Sequence, residues 1–102
     1  MATTVIGLLA DGSKLIKVTA AGPSSYDSSA GQGIVADVDY VDEVISAHAP
    51  GYLIDNISVS GNTITVHWYY FDYDATADGA ATEVADTTDL SGVTVTIIAI
   101  AH

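Results

Sequence analysis

The sequence predicts an all-β fold, a small antiparallel β-sandwich or barrel of about seven strands. Three observations predict it. Apolar residues alternate with small or polar ones in Thr63-Ile64-Thr65-Val66-His67-Trp68 and again in Val93-Thr94-Val95-Thr96-Ile97. A period of two is that of strands buried on one face. The residue types are Val, Ile, Thr and Tyr, which fit a pleated surface. Finally, these short runs are separated by Gly-containing turns rather than by long helical patterns.

The elements follow in order. Strands are expected near 3–10 and 13–20, joined at Asp11-Gly12, where glycine accepts positive φ cheaply. Residues 22–31 have no apolar period and read as a loop. Strands near 33–40 and 43–49 are expected to flank a tight turn at Asp42-Glu43. A helix competes for 35–49. However, Val35, Val38, Val41 and Val44 are β-branched at a spacing of three and would lose rotamer freedom in it. Pro50-Gly51 marks a turn into a strand near 52–60, and Gly61-Asn62 a hairpin into a strand near 63–73. A second long connection, 75–89, is rich in Ala, Asp and Thr and leads to a last strand near 92–101. No linker or internal repeat divides the chain, so residues 1–102 read as one domain.

Composition narrows function. The 102 residues include 13 acids, 11 of them Asp, against two lysines, for a net charge of -11. Yet 49% of the residues are hydrophobic, which argues against disorder. Lys14 and Lys17 are the only cations, too few to neutralise phosphates, so no nucleic-acid partner is expected. The absence of Cys removes disulfides and thiolate zinc sites. No apolar stretch of about 20 residues is present to span a membrane as a helix. Met1-Ala2-Thr3-Thr4 lacks the positive start of a signal peptide.

The charge itself points to brine. At ordinary ionic strength the Debye length is about 8 Å and the acids repel one another; at about 1 M salt it falls to about 3 Å. Abundant Asp, scarce Lys, and much Ala, Thr and Val are expected of a protein made for molar salt.

Site chemistry is sparse. His48, His67 and His102 form no local metal motif. Asp72 with Asp74 and Asp37 with Asp39 are spaced to share a strand face, about 6.7 Å apart. Such pairs also arise on any solvated face rich in Asp. Asp72-Tyr73-Asp74-Ala75-Thr76-Ala77-Asp78-Gly79 departs from the calcium-loop spacing, with Glu83 misplaced for its last ligand. There is no nucleophile elbow and no phosphate-binding glycine loop. Asn56-Ile57-Ser58 matches a glycosylation sequon inside an expected strand. A non-enzyme without cofactor or metal is expected.

The aromatic run is the most distinctive feature. Alternation sends Trp68 and Tyr70 to one face and Tyr69, Phe71 and Tyr73 to the other. A strand with aromatics on both faces must be covered on both. One cover is the core; the other is either a partner or a loop such as 22–31 of the same chain. Trp68, Tyr69, Phe71 and Tyr73 are therefore candidate interface residues.

The segment Glu83-Val84-Ala85-Asp86-Thr87-Thr88-Asp89-Leu90-Ser91-Gly92-Val93-Thr94-Val95-Thr96-Ile97-Ile98-Ala99-Ile100 resembles the ending of small structural proteins encoded in tailed-phage head-gene clusters. Ala36-Asp37-Val38 and Gly51-Tyr52 fall where those proteins carry a similar strand and turn. Thr96 stands where they usually place Arg. The resemblance implies a β-sandwich that acts as a minor capsid or decoration protein in the virion and is not an enzyme. It also implies the major capsid protein and copies of itself as partners, with synthesis in the host cytoplasm. With the charge signature, the virus would infect a salt-loving archaeon. A tail, neck or vertex component is the alternative within a virion. A carbohydrate-binding β-sandwich is the alternative outside it.

Overall fold

The computed structural model describes residues 2–71 and 81–102, with Phe71 and Ala81 described by backbone alone. Eight strands are present among them: β1 (Ala2–Leu8), β2 (Lys14–Ala21), β3 (Gln32–Val35), β4 (Val41–His48), β5 (Leu53–Ser60), β6 (Thr63–Phe71), β7 (Ala81–Glu83) and β8 (Thr94–Ala101). They form two antiparallel sheets. One has the order β1-β2-β8-β4. In the other, β6 pairs with β5 on one side, and on its other side with β3 along its first half and β7 along its second.

The period of two builds the core. Ile16, Val18 and Ala20 of β2 lie opposite Ala99, Ile97 and Val95 of β8, all on the inner face. Ile64, Val66 and Trp68 of β6 face them from the second sheet, and all join one buried cluster. The intervening residues Thr94, Thr96, Ile98 and Ile100 are more exposed. This is a β-sandwich with one hydrophobic core between its layers.

The turns follow their residues. Gly12 at φ 90° and Gly61 at φ 60° close the β1–β2 and β5–β6 hairpins. Pro50-Gly51 is a turn of the Pro-then-Gly kind, with Gly51 at φ 82° and Tyr52 N–H donating to the Ala49 carbonyl. It carries the chain from the first sheet to the second.

Three expectations need correction. The strand expected at 33–40 ends at Val35, and the turn falls over residues 37–40 instead of at Asp42-Glu43. Its cause is the last residue: the His102 carbonyl accepts Asp39 and Tyr40 N–H, and His102 N–H donates to Tyr40. Second, β3 and β4 belong to different sheets, so this turn is a crossover and not a hairpin. Third, a short strand, β7, lies inside the long connection, where no strand is expected.

Candidate interaction surface

The aromatic strand divides between core and surface: Trp68 lies inside and Tyr70 is exposed. Trp68 is fully buried; its indole N–H donates to Gln32 Oε1 at 2.9 Å, and its ring meets Tyr52 edge-on. As an interface candidate Trp68 is therefore corrected: its own chain covers it completely. Tyr69 is half-buried opposite Leu53 and Glu83. Phe71 ends β6 opposite Ala81. Tyr73 lies outside the described residues, as do Asp72, Asp74 and Asp78.

The cover beside this strand comes from the same chain. The loop 22–31 and the connection after β7 lace together. Tyr26 N–H donates to the Thr88 carbonyl, Thr87 N–H to Tyr26, and Leu90 N–H to Pro23. Ser28 N–H donates to Asp86 Oδ1 at 2.7 Å. The fit is close: a Cβ on Gly22 would stand 2.4 Å from the Leu90 carbonyl oxygen. Gly31, at φ 72°, would bring one to 2.6 Å from the Val66 oxygen.

Tyr26 is the key of this pad. Along β6, β3 stops at Val66 and β7 starts at Tyr69, which leaves a gap in the ladder. The Tyr26 hydroxyl fills it, accepting Trp68 N–H at 3.0 Å and donating to Glu83 Oε2 at 2.7 Å. Val84 N–H closes the other half on the Trp68 carbonyl. His67 Nδ1 lies 2.8 Å from the same Glu83 oxygen. Burial, and then donation to the Glu83 carboxylate, push the Tyr26 phenol above its ordinary pKa. Hydrogen bonds from His67 and then Tyr26 hold Glu83 below its own. Both shifts keep the phenol neutral and the carboxylate charged, as a structural brace requires.

The remaining described acids are mostly turn residues or solvated ones. Asp11, Asp27 and Asp89 each accept both the N–H and the hydroxyl of the serine two positions on. Asp37 and Asp39 sit in the crossover turn, not along one strand face. His102 stacks on Tyr40 at 4.9 Å and its Nδ1 lies 2.7 Å from Asp42 Oδ2, while His48 is exposed on β4. Among the described residues no group of three or more His, Asp or Glu is placed to hold a metal.

The surface that stands out is β1, which no sequence argument had singled out. Val5, Ile6 and Leu8 are 51%, 50% and 77% exposed, and Leu9 beyond them 40%. The sequence did hold a signal: residues 1–10 carry no charge in a chain of net -11. Both lysines lie on β2 beside it, and neither makes an ion pair among the described residues. A second feature is an open cleft of about 390 Å³ lined by Gly51, Tyr52, Tyr70, Val84, Ala85 and Thr88.

Comparison with protein-family models, with curated proteins and with solved structures finds no match to this chain.

Proposed function

We propose that this protein is a non-enzymatic virion structural protein that binds a capsid shell as a decoration or minor capsid subunit. The observation that carries the reading is the uncharged, apolar edge strand on an otherwise acidic sandwich. In molar salt charge pairing is screened, so adhesion must rest on apolar contact and backbone pairing. The β1 edge supplies both. Many copies on one particle would each gain from multivalency. The likeness of residues 83–100 to phage head-cluster proteins supports the same reading.

The test is composition of the particle. Virions purified from the native source in high salt and digested for mass spectrometry are expected to contain this chain. Its absence from intact particles overturns the proposal. Antibody labelling of those particles separates a shell position from a tail, neck or vertex one.

The Tyr52–Tyr70 cleft favours one other reading, a carbohydrate-binding module, because exposed aromatic faces stack on sugar rings. That reading predicts polysaccharide binding by the isolated monomer, lost in Tyr70→Ala. The capsid reading predicts none.

A further inference from the structure

We infer that β1 is the edge through which two copies of this chain pair, antiparallel about a two-fold axis, so that their four-stranded sheets become one continuous sheet. This rests on the reading above of the chain as an assembly subunit and specifies one contact of that assembly.

The backbone comes first. β1 pairs with β2 on one side only, and no other backbone partner of β1 exists among the described residues. Natural edges of this kind are blunted by Lys, Pro, charge or bulges. Residues 1–10 carry neither a charge nor a Pro. The one device present is the irregularity between Val5 and Gly7, which leaves Ala2–Val5 in regular register.

Charge then names the occupant. Residues 1–21 hold both lysines and one acid, Asp11, a net of +1; the other twelve acids lie in residues 22–102 without a single cation. Two copies meeting through a surface that carries these acids would have to strip water from unpaired carboxylates, a cost that salt does not remove. A two-fold axis across β1 sets uncharged strand on uncharged strand, with Asp37, whose N–H donates to Thr3 Oγ1 at 3.0 Å, beside the strand and not on it. It brings Val5 and Ile6 of each copy together, and it makes the new pair antiparallel like the rest of the sheet.

The far edge explains why pairing stops at two. β4 is doubly bulged against β8 and its Val41 N–H is already spent on the Gly61 carbonyl of the β5–β6 turn. It contacts β5 of the other sheet, and its two irregularities break the regular run of edge groups that a further strand would need. The contact is therefore isologous and closed, not a filament.

The experiment uses the full chain in about 2 M NaCl, a concentration at which charge repulsion is screened. Sedimentation is expected to show dimers at about 100 μM. The double variant Ile6→Lys/Leu8→Lys is expected to weaken the dimer at least roughly tenfold while melting within a few degrees of the parent. Because the chain has no Cys, single cysteines at Thr3, Thr4, Val5 and Ile6 report the axis directly. Under oxidation at least one is expected to form a crosslinked dimer, and Ser60→Cys on β5 is expected to form none. A parent that stays monomeric overturns the inference, as does a dimer untouched by the lysines or uncrosslinked at all four positions. A monomer that is nevertheless present in virions removes this contact and leaves the capsid reading; a β1 dimer absent from virions supports this contact and removes that reading.

Discussion

The hydroxyl of Tyr26 accepts the backbone N–H of Trp68 at 3.0 Å and donates to the Glu83 carboxylate at 2.7 Å. One side chain thus satisfies a buried β6 donor that neither β3 nor β7 reaches. Tyr26→Phe keeps the ring and removes only the hydroxyl. It leaves a buried N–H unpaired, which costs about 1–3 kcal/mol. In urea unfolding the midpoint is expected to fall with an unchanged slope, since the exposed area is the same. An unchanged midpoint would show that another group takes over the N–H.

The same contact predicts an alkaline limit. Tyr26 ionises in the folded chain above the ordinary value of 10.0. The folded state then holds the proton more tightly than the unfolded one. Its contribution is complete below about pH 10 and is lost as pH rises from there toward the folded value. Stability is therefore expected to decline above pH 10 in the parent and to decline less in Tyr26→Phe. In ultraviolet titration of the folded protein a late-ionising tyrosine is expected above pH 10 that Tyr26→Phe lacks.

Acid works in the opposite direction. The hydroxyls and N–H groups of Ser13, Ser29, Ser28 and Ser91 hold Asp11, Asp27, Asp86 and Asp89 below the ordinary 3.8. A depressed carboxyl stabilises the fold above its unfolded pKa and ceases to do so as pH falls through the folded one. Stability in about 2 M NaCl, where general repulsion is screened, is expected to drop below about pH 4. Asp27→Asn keeps an acceptor but cannot titrate, so its acid slope is expected to be shallower than the parent's.

Most of the fold was legible because one face of each strand is buried and the other wet. Ile64, Val66 and Trp68 announce β6, and Val95 and Ile97 announce β8, by alternation alone. What escaped depends on distant partners. The Tyr26 plug joins residues 57 positions apart from Glu83 and 42 apart from Trp68, and no local pattern encodes it. The crossover turn at 37–40 is set by His102, at the other end of the chain. The exposed β1 edge was hidden for another reason. Val5 and Ile6 look like core residues until the topology places β1 at the outside of its sheet.

Thr87 carries strain that can be relieved. It sits at φ 69°, where a β-branched side chain crowds the backbone. It is held there by its N–H bond to the Tyr26 carbonyl at 2.8 Å. Thr87→Gly keeps that bond and removes the crowding. The gain exceeds the extra freedom of glycine in the unfolded chain, and a net stabilisation of about 1 kcal/mol is expected. Thermal melts check it; a loss of stability would mean that the Thr87 side chain makes a compensating contact.

Salt gives the last prediction. Among the described residues the close acid–base contacts are His67–Glu83 and His102–Asp42, and neither lysine makes one. The fold therefore stands against its own charge. Melting temperature is expected to rise between about 0.1 and 3 M NaCl as the Debye length shrinks. A gain of about 1–2 kcal/mol corresponds to roughly 5–15 °C for a domain of this size. Salt also strengthens apolar burial, so a rise alone does not isolate repulsion. Removing charge does. Glu43 and Asp55 are exposed. The double variant Glu43→Gln/Asp55→Asn is expected to melt higher than the parent at about 0.1 M salt, where the charges interact, and to match it at about 3 M, where they do not. Equal melting at both salt concentrations would assign the salt effect to burial and remove repulsion as its cause.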